Sequence, residues 1–496
     1  MLCWLAERAA QSPDDIALIF QDRRWTFAEL NEQAAEMAAQ LASAGIKPGD
    51  HVAALLPNRP EYVFLVFALT RMGCVIVPVN TRLTPPEIAR LVERAGCRAL
   101  VCSARTRQAA SALAGIQVID VDTQAHPDPD QVEFWRSGRP ISRHAALAII
   151  YTSGTTGIPK GAMLTFDNFL SSAIASRRRL GHETAARWLL CMPLYHVGGL
   201  SIVLRCCLYG TTIVLHDGFD VDAVSHALDD EGVTLVSLVP TMLHRLIEQR
   251  GARPFPPSLK CILLGGAAAS PKLVRQCIDL EIPIATTYGL TETCSQAATA
   301  TPDEVRAAPD HVGRALPGVR LRILGDDGRE RPAGMIGEIV LSGRMVMSGY
   351  YQDPVSTAAA LRDGWLHTGD LGSLDERGNL RVAQRRSDLI VSGGENVYPA
   401  EVEAVLETHS SVREAVVVGV EDAEWGQRVA ALVVSSDPAP DTEALVAHCR
   451  AQLAGYKCPR IIRFVDALPR TASGKVLRRE AARLLEAQLA EPHQAG

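Results

Sequence analysis

The chain has 496 residues, 47% hydrophobic and 21% charged, which predicts a globular protein of about three domain-sized units with ample material for a core. A net charge of -6 and basic clusters as short as Arg177-Arg178-Arg179 and Arg478-Arg479 argue against a nucleic-acid or anionic-membrane protein, because tracking phosphates takes a sustained positive surface. The twelve cysteines contain no Cys-x-x-Cys pair, and Cys74, Cys191 and Cys261 lie in apolar strand-like runs; reduced, buried thiols in the cytoplasm are expected, not disulfides or a zinc site.

At the N-terminus acidic residues soon follow Met1 and no long apolar run occurs, so no signal peptide is expected. Thr26 and Glu29 form a capping box opening a helix that stops near Gly45, and His51 to Leu56 reads as a strand. Glu61 to Met72 reads as a helix, Val75 to Val79 as a strand, and Thr84 caps a helix with Pro85 and Pro86 in its first turn, ahead of the strand Arg98 to Cys102. This alternation implies a mostly parallel sheet covered by helices on both faces. The polar stretch Thr123 to Arg143 reads as a connection. Thr165 caps a further helix, and strand and helix runs alternate again from Val233 to Asp279, predicting a second helix-flanked sheet. Leu189 to Leu215 is apolar enough to raise the question of a membrane span, but Pro193, His196, Gly198, Gly199, Arg205 and Gly210 interrupt it, and core elements are expected. Short strands from Gly313 to Val382 predict a small β-barrel, and beyond Arg385 a separate α+β domain of roughly a hundred residues follows. The fold class is therefore α/β, with a large N-terminal domain of two mostly parallel sheets plus a barrel and a small, mobile α+β C-terminal domain.

The most informative stretch is Thr152-Ser153-Gly154-Thr155-Thr156-Gly157-Ile158-Pro159-Lys160-Gly161. Its glycines let backbone N–H groups turn onto an anion, and four hydroxyls and Lys160 supply further donors and charge, as a polyphosphate requires. The apolar run Ala145 to Tyr151 ahead of it places the loop at a strand end, where open α/β sheets bind ligands. It is not a Walker A loop: Ile158-Pro159 separates Gly157 from Lys160, and no hydroxyl follows the lysine.

Four later segments make this loop specific: Tyr288-Gly289-Leu290-Thr291-Glu292, Gly364 to Asp370, Arg385 to Tyr398, and Pro469 to Lys475. In this order they resemble the adenylate-forming superfamily of acyl-CoA synthetases, peptide-synthetase adenylation domains and luciferases, over essentially the full length. The resemblance implies that a carboxylate attacks the α-phosphate of ATP, releasing pyrophosphate, and that a CoA thiol then displaces AMP. The carboxylate is already ionised at neutral pH, so the work is alignment and charge neutralisation. It also implies residue roles. Lys475 bridges carboxylate and α-phosphate; Glu292 holds Mg²⁺; Thr291 and Thr152 bond phosphate oxygens, alongside Ser153, Gly154, Thr155, Thr156, Gly157 and Lys160. Tyr288 and Gly289 face the adenine, where Gly265-Gly266-Ala267 allow close approach, and Asp370 and Arg385 hold the ribose. Gly393, Gly394 and Glu395 serve the CoA tunnel. The implied domains are 1–384, a hinge at 385–387 turning on Ser387, where the superfamily commonly has Asp or Lys, and 388–496 with the catalytic lysine. The implied partners are small molecules, namely a carboxylic acid, ATP and CoA, with neither nucleic acid nor a transmembrane segment; a homodimer is compatible with the sequence.

Within the superfamily, Pro193 to Leu200, Thr291 to Gln296 and Arg385 to Asn396 most resemble the o-succinylbenzoate-CoA ligases of menaquinone biosynthesis, while groups acting on benzoates or medium-chain fatty acids share much of this vocabulary. Carrier-protein loading is the less favoured alternative. One clue comes from the residues themselves. Ser201 and Arg205 are four apart in an otherwise apolar segment, hence on one face if it is helical, and a buried arginine is costly unless an anion meets it. Either Arg205 pairs with a protein carboxylate or reaches solvent, or it binds a second carboxylate on the substrate, with His196 shaping the same pocket.

Overall fold

The computed structural model describes residues 3–123, 127–152, 159–181, 185–384, 389–436, 441–470 and 476–490. It divides into two compact units, one of Met1–Thr81, Val92–Tyr151 and Gly161–Gln384, the other of Arg82–Leu91, Thr152–Lys160 and Arg385–Gly496.

The early strand runs form a seven-stranded sheet in the order Gly349–Tyr350, Lys160–Thr165, Ala146–Thr152, Val75–Pro78, His51–Leu55, Cys97–Cys102, Gln117–Asp120. Its strands from Ala146–Thr152 onward pair in parallel. The helix Phe27–Ser43 starts at the expected box: the Thr26 hydroxyl accepts from the Glu29 N–H and the Glu29 carboxylate accepts from the Thr26 N–H. The stretch expected to be only a connection contains the helix Pro129–Arg136, started by the Asp128 side chain and by Pro129; Val132 and Trp135, one turn apart, bury its inner face.

A nine-stranded sheet holds Ile284–Tyr288, Cys261–Leu264, Leu235–Leu238, Arg187–Leu190 and Thr212–Leu215 side by side and parallel. Next to Thr212–Leu215 comes the N-terminal strand Ile16–Phe20, hairpinned to Arg23–Thr26. The runs in this sheet are apolar without alternation because both faces are covered. Ile262 and Leu264 enter one core cluster with the helices Val221–Asp230, Pro240–Arg250 and Pro271–Asp279; Cys261 and Leu263 enter the larger cluster, which the first sheet shares. The apolar stretch that raised the membrane question is strand end, helix Val197–Tyr209 and strand Thr212–Leu215, and no helix among the described residues is long and apolar enough to cross a membrane. Val319–Leu324, Gly337–Gly343, Trp365–Leu374, Leu361–Arg362 and Leu380–Gln384 make a five-stranded antiparallel sheet.

In the second unit Gly426–Ser435 pairs along its length with Val412–Asp422, and its other edge carries Ile461–Phe464 and, at Gly426, Ile390–Ser392, which turns back into Glu395–Val397. Alternate residues along its strands, Val416 against Val417 and Leu432 against Val433, feed two cores on opposite faces. All twelve cysteines are free, and all but Cys97 are buried.

Candidate active site

The parallel strands Leu235–Leu238, Cys261–Leu264 and Ile284–Tyr288 are neighbours, so the segments that follow them emerge together at one sheet edge. Two of those segments are the glycine turns named from the sequence. A Cβ on Gly265 would lie 2.6 Å from Thr287 Cγ2, and Gly266 has φ +78°, so both need glycine. Gly289 is tighter: a Cβ there would come within 1.7 Å of the Ser295 carbonyl oxygen. The chain between, Thr291–Thr293, is a single 3-10 turn, and Cys294 and Ser295 after it both have positive φ, 55° and 91°. Consecutive non-glycine residues in this region persist only where their surroundings hold them. Gly289→Ala should therefore force the Ser295 backbone aside and lower the thermal midpoint by roughly 5 °C or more. Gly198→Ala is the internal control, because a Cβ there meets nothing within 4 Å. Equal midpoints for the two variants would show that the turn yields freely.

That turn presents Glu292. Its carboxylate is buried, accepts a hydrogen bond from the Tyr350 hydroxyl at 2.8 Å through Oε1, and its backbone carbonyl accepts from Met347 N–H. Tyr350 in turn belongs to the strand paired with Lys160–Thr165, the strand that leaves the phosphate-like loop. Glu292 is thus tied to that strand by a tyrosine the sequence reading did not single out. The Tyr288 hydroxyl donates to Asp370 Oδ2 at 2.7 Å, and Asp370 is further fixed by its N–H to Thr368 Oγ1, so these two candidates, 82 positions apart, are brought together. Thr152 Oγ1 donates to the Lys160 carbonyl at 3.4 Å across the base of the loop. Ser153, Gly154, Thr155, Thr156, Gly157, Arg385, Ser387 and Lys475 lie outside the described residues.

Gly393 and Gly394 form the two-residue turn between Ile390–Ser392 and Glu395–Val397, with φ 58° and 84°, the geometry that such hairpins favour. Glu395, just beyond, is buried.

The helix Val197–Tyr209 carries Ser201 and Arg205, both buried, Arg205 to 2% exposure. His196 is the residue before its first turn, and nine residues of helix separate it from Arg205 by about 13 Å of axial rise, so the two do not meet directly. Neither protein-based account of Arg205 fits the described residues. It does not reach solvent, and among the described residues no carboxylate pairs with it. Its Nη2 donates to the Ser172 hydroxyl at 3.0 Å; among the described residues its Nε has no partner, and the Ser201 hydroxyl faces only the Cys294 thiol. Burial pushes the guanidinium pKa down and the Cys294 thiol up to about 12. The other buried cations among the described residues are matched. Arg250 meets Asp229 at 2.9 Å, Lys457 meets Glu87 and Glu401 at 2.8 Å each, and Arg71 donates to Asn31 Oδ1 and to the carbonyls of Phe67, Asn31 and Trp135. Arg205 alone of these four rests on one neutral hydroxyl, an arrangement that lacks an anion.

Residues 5–351 match the family of AMP-binding enzymes and residues 401–475 its C-terminal domain. The chain belongs to the AMP-binding enzyme family. Among curated members, the 2-succinylbenzoate–CoA ligase of Bacillus cereus (strain Q1) is 42% identical over 487 residues, covering 97% of this chain and 98% of that one. Among solved structures, a double mutant of o-succinylbenzoate CoA synthetase from Bacillus subtilis, bound with its product analogue OSB-NCoA, aligns with a TM-score of 0.89 at 39% identity, covering 97% and 98% of the two chains. The same B. subtilis enzyme in complex with ATP and magnesium ion aligns at 0.72 and 38% identity, covering 97% and 99%.

The sequence names the glycine turns, Glu292, Asp370 and Arg205 as candidates, but gives no role to Tyr350, Ser172 or Gln296. Gln296 is buried, its Oε1 has no partner among the described residues, and its Nε2 donates to Thr299 Oγ1. A lone tyrosine, serine or glutamine in an apolar context carries no signal of its own; only the fold shows what each one touches.

Proposed function

We propose that the chain is an ATP-dependent acid-CoA ligase acting on o-succinylbenzoate. The carboxylate of the acid attacks the α-phosphorus of ATP, breaking the bond to pyrophosphate and forming the acyl-adenylate. The CoA thiol then attacks the acyl carbon, AMP leaves, and the thiol proton is released. Tyr288, Asp370, Gly265, Gly266 and Ala267 bind the adenosine part, with Arg385 on the ribose, and Thr152, Thr291 and the 153–160 loop bind the phosphates. Lys475 places its ammonium between the acid and the α-phosphate. Gly393, Gly394 and Glu395 line the path of the CoA arm. The large domain spans 1–384 and the small one 388–496, turning at 385–387 about Ser387 between the two half-reactions.

Glu292 fits a magnesium ion: Tyr350 occupies Oε1, which leaves Oε2 for a cation, and no group of three or more His, Cys, Asp and Glu residues among the described ones could cage a metal alone. Magnesium suits such a site, because it is commonly held by one or two carboxylates together with substrate phosphates and water, and it neutralises charge on those phosphates.

The observation that carries the choice of acid is the buried Arg205, which has no carboxylate partner among the described residues. A fatty acid or benzoate has only the carboxylate that reacts; o-succinylbenzoate has a second one to bring to this arginine. Removing one partner of a desolvated, hydrogen-bonded charge pair costs about 2 to 5 kcal/mol, roughly thirtyfold to several thousandfold in binding. Arg205→Ala should raise the KM for o-succinylbenzoate at least thirtyfold (~2 kcal/mol) and leave that for ATP nearly unchanged. Arg205→Lys should recover part of the loss, since charge survives without the planar fork. A medium-chain acid used as well as o-succinylbenzoate by the wild type, with Arg205→Ala neutral or improved toward it, would overturn the choice of acid while sparing the acid-CoA ligase.

A further inference from the structure

We propose that Ser172 is a positioning residue that fixes the Arg205 guanidinium and the turn carrying Glu292 to one another. The inference rests on the reading of Arg205 as the acid-binding cation. Ser172 lies on the helix Phe166–Leu180, 1% exposed, and its hydroxyl meets both Arg205 and Cys294. It accepts from Arg205 Nη2 at 3.0 Å and donates to the Cys294 carbonyl at 2.9 Å. The direction of both bonds is settled by chemistry: a guanidinium only donates and a carbonyl only accepts, so the single hydroxyl proton goes to Cys294.

Cys294 is the first of the two positive-φ residues that end the Glu292 turn, and its N–H is already held by the Thr291 carbonyl at 3.0 Å. Ser172 holds the other side of the same peptide chain. Gly289 makes room beneath Ser295, Tyr350 fixes the Glu292 carboxylate, and Ser172 ties the end of the turn to the arginine. The hydroxyl thereby touches both the acid-recognition cation and the backbone two residues from the proposed magnesium-binding carboxylate. Polarisation runs along the chain from guanidinium to hydroxyl to carbonyl, and each bond strengthens the next.

The test uses the full-length protein and binding as well as rates. Calorimetric Kd values for o-succinylbenzoate, and for ATP with magnesium, are measured on wild type, Ser172→Ala, Ser172→Thr, Arg205→Ala and the Ser172→Ala/Arg205→Ala double variant. A hydrogen bond to a charged group supports a loss of roughly 10- to 100-fold in acid binding for Ser172→Ala, with Ser172→Thr, which keeps the hydroxyl, restoring most of it. In the Arg205→Ala background the same serine change should alter acid binding less than about twofold, because the group it positions is gone. The ATP-magnesium Kd should weaken several-fold in Ser172→Ala with or without Arg205, as the Glu292 turn loses its tether. Equal effects of Ser172→Ala on acid binding in both backgrounds, or an unmoved ATP-magnesium Kd, would overturn the proposal. Should Arg205→Ala bind the acid normally, the reading of Arg205 fails, and the ATP-magnesium arm still decides whether Ser172 holds the turn.

Discussion

Lys475→Ala is expected to slow adenylate formation by roughly 10³-fold or more while leaving thioester formation from supplied acyl-AMP within about tenfold of wild type. In the first half-reaction two anions, the carboxylate and the α-phosphate, must be brought into contact, and the transition state concentrates charge between them. A lysine ammonium is a compact point charge on a flexible stem, suited to bridging both groups at once. In the second half-reaction the acyl group is already a neutral mixed anhydride at the attacked carbon, and the charge to be stabilised lies elsewhere. Pyrophosphate release from acid and ATP measures the first step; thioester mass from synthetic o-succinylbenzoyl-AMP and CoA measures the second. Equal loss of both in a folded Lys475→Ala protein would show that one lysine serves both steps.

The converse separation is expected from Gly394→Leu. This variant should keep acid-dependent pyrophosphate release within a few-fold of wild type and lose thioester production by about 10²-fold or more, the scale on which a displaced reacting group acts. Gly393 and Gly394 make a hairpin turn with both φ values positive, and a Cβ on Gly393 would already lie 2.7 Å from the Trp425 ring. Bulk at this turn would fill the path proposed for the CoA arm. Leucine at φ 84° also carries backbone strain of about 1–2 kcal/mol, which would weaken the turn without any tunnel. Gly394→Ala shares that strain but adds only a methyl group, so it should retain most thioester activity. If the alanine and leucine variants lose thioester formation equally, strain and not occlusion is the cause.

Much of the architecture could be read in advance because it is written locally. The Thr26–Glu29 box at the start of Phe27–Ser43, and Pro85 and Pro86 at the start of Pro85–Arg94, mark helix ends within a few residues. What escaped is non-local. Nothing near Ile16–Phe20 announces that it pairs with Thr212–Leu215, almost two hundred residues on, because an apolar five-residue strand is compatible with any sheet edge. The site divides in the same way. Gly289 and Glu292 share a turn and a motif, so their association was visible; Tyr288 and Asp370 were both named, but their hydrogen bond depends on how two sheets meet. Ser172 is one of several serines on its helix, and only its place between Arg205 and Cys294 distinguishes it.

The buried thiols offer a built-in probe of how this protein opens. Burial pushes Cys191, Cys261, Cys277 and Cys449 up to about 12. Thiolate, the form that alkylating reagents attack, is then about one part in 10⁵ at neutral pH, and the surrounding chain shields even that. A maleimide or iodoacetamide should therefore modify these positions only when the segment around them unfolds. Cys449 lies on the helix Thr442–Gln452 of the second unit, whereas Cys261 and Cys277 sit in and beside the nine-stranded sheet of the first. Mass spectrometry of labelling against time would read a separate opening free energy for each region from one sample, with no engineered cysteine. Adding ATP or o-succinylbenzoate would then report which of these regions each ligand holds closed.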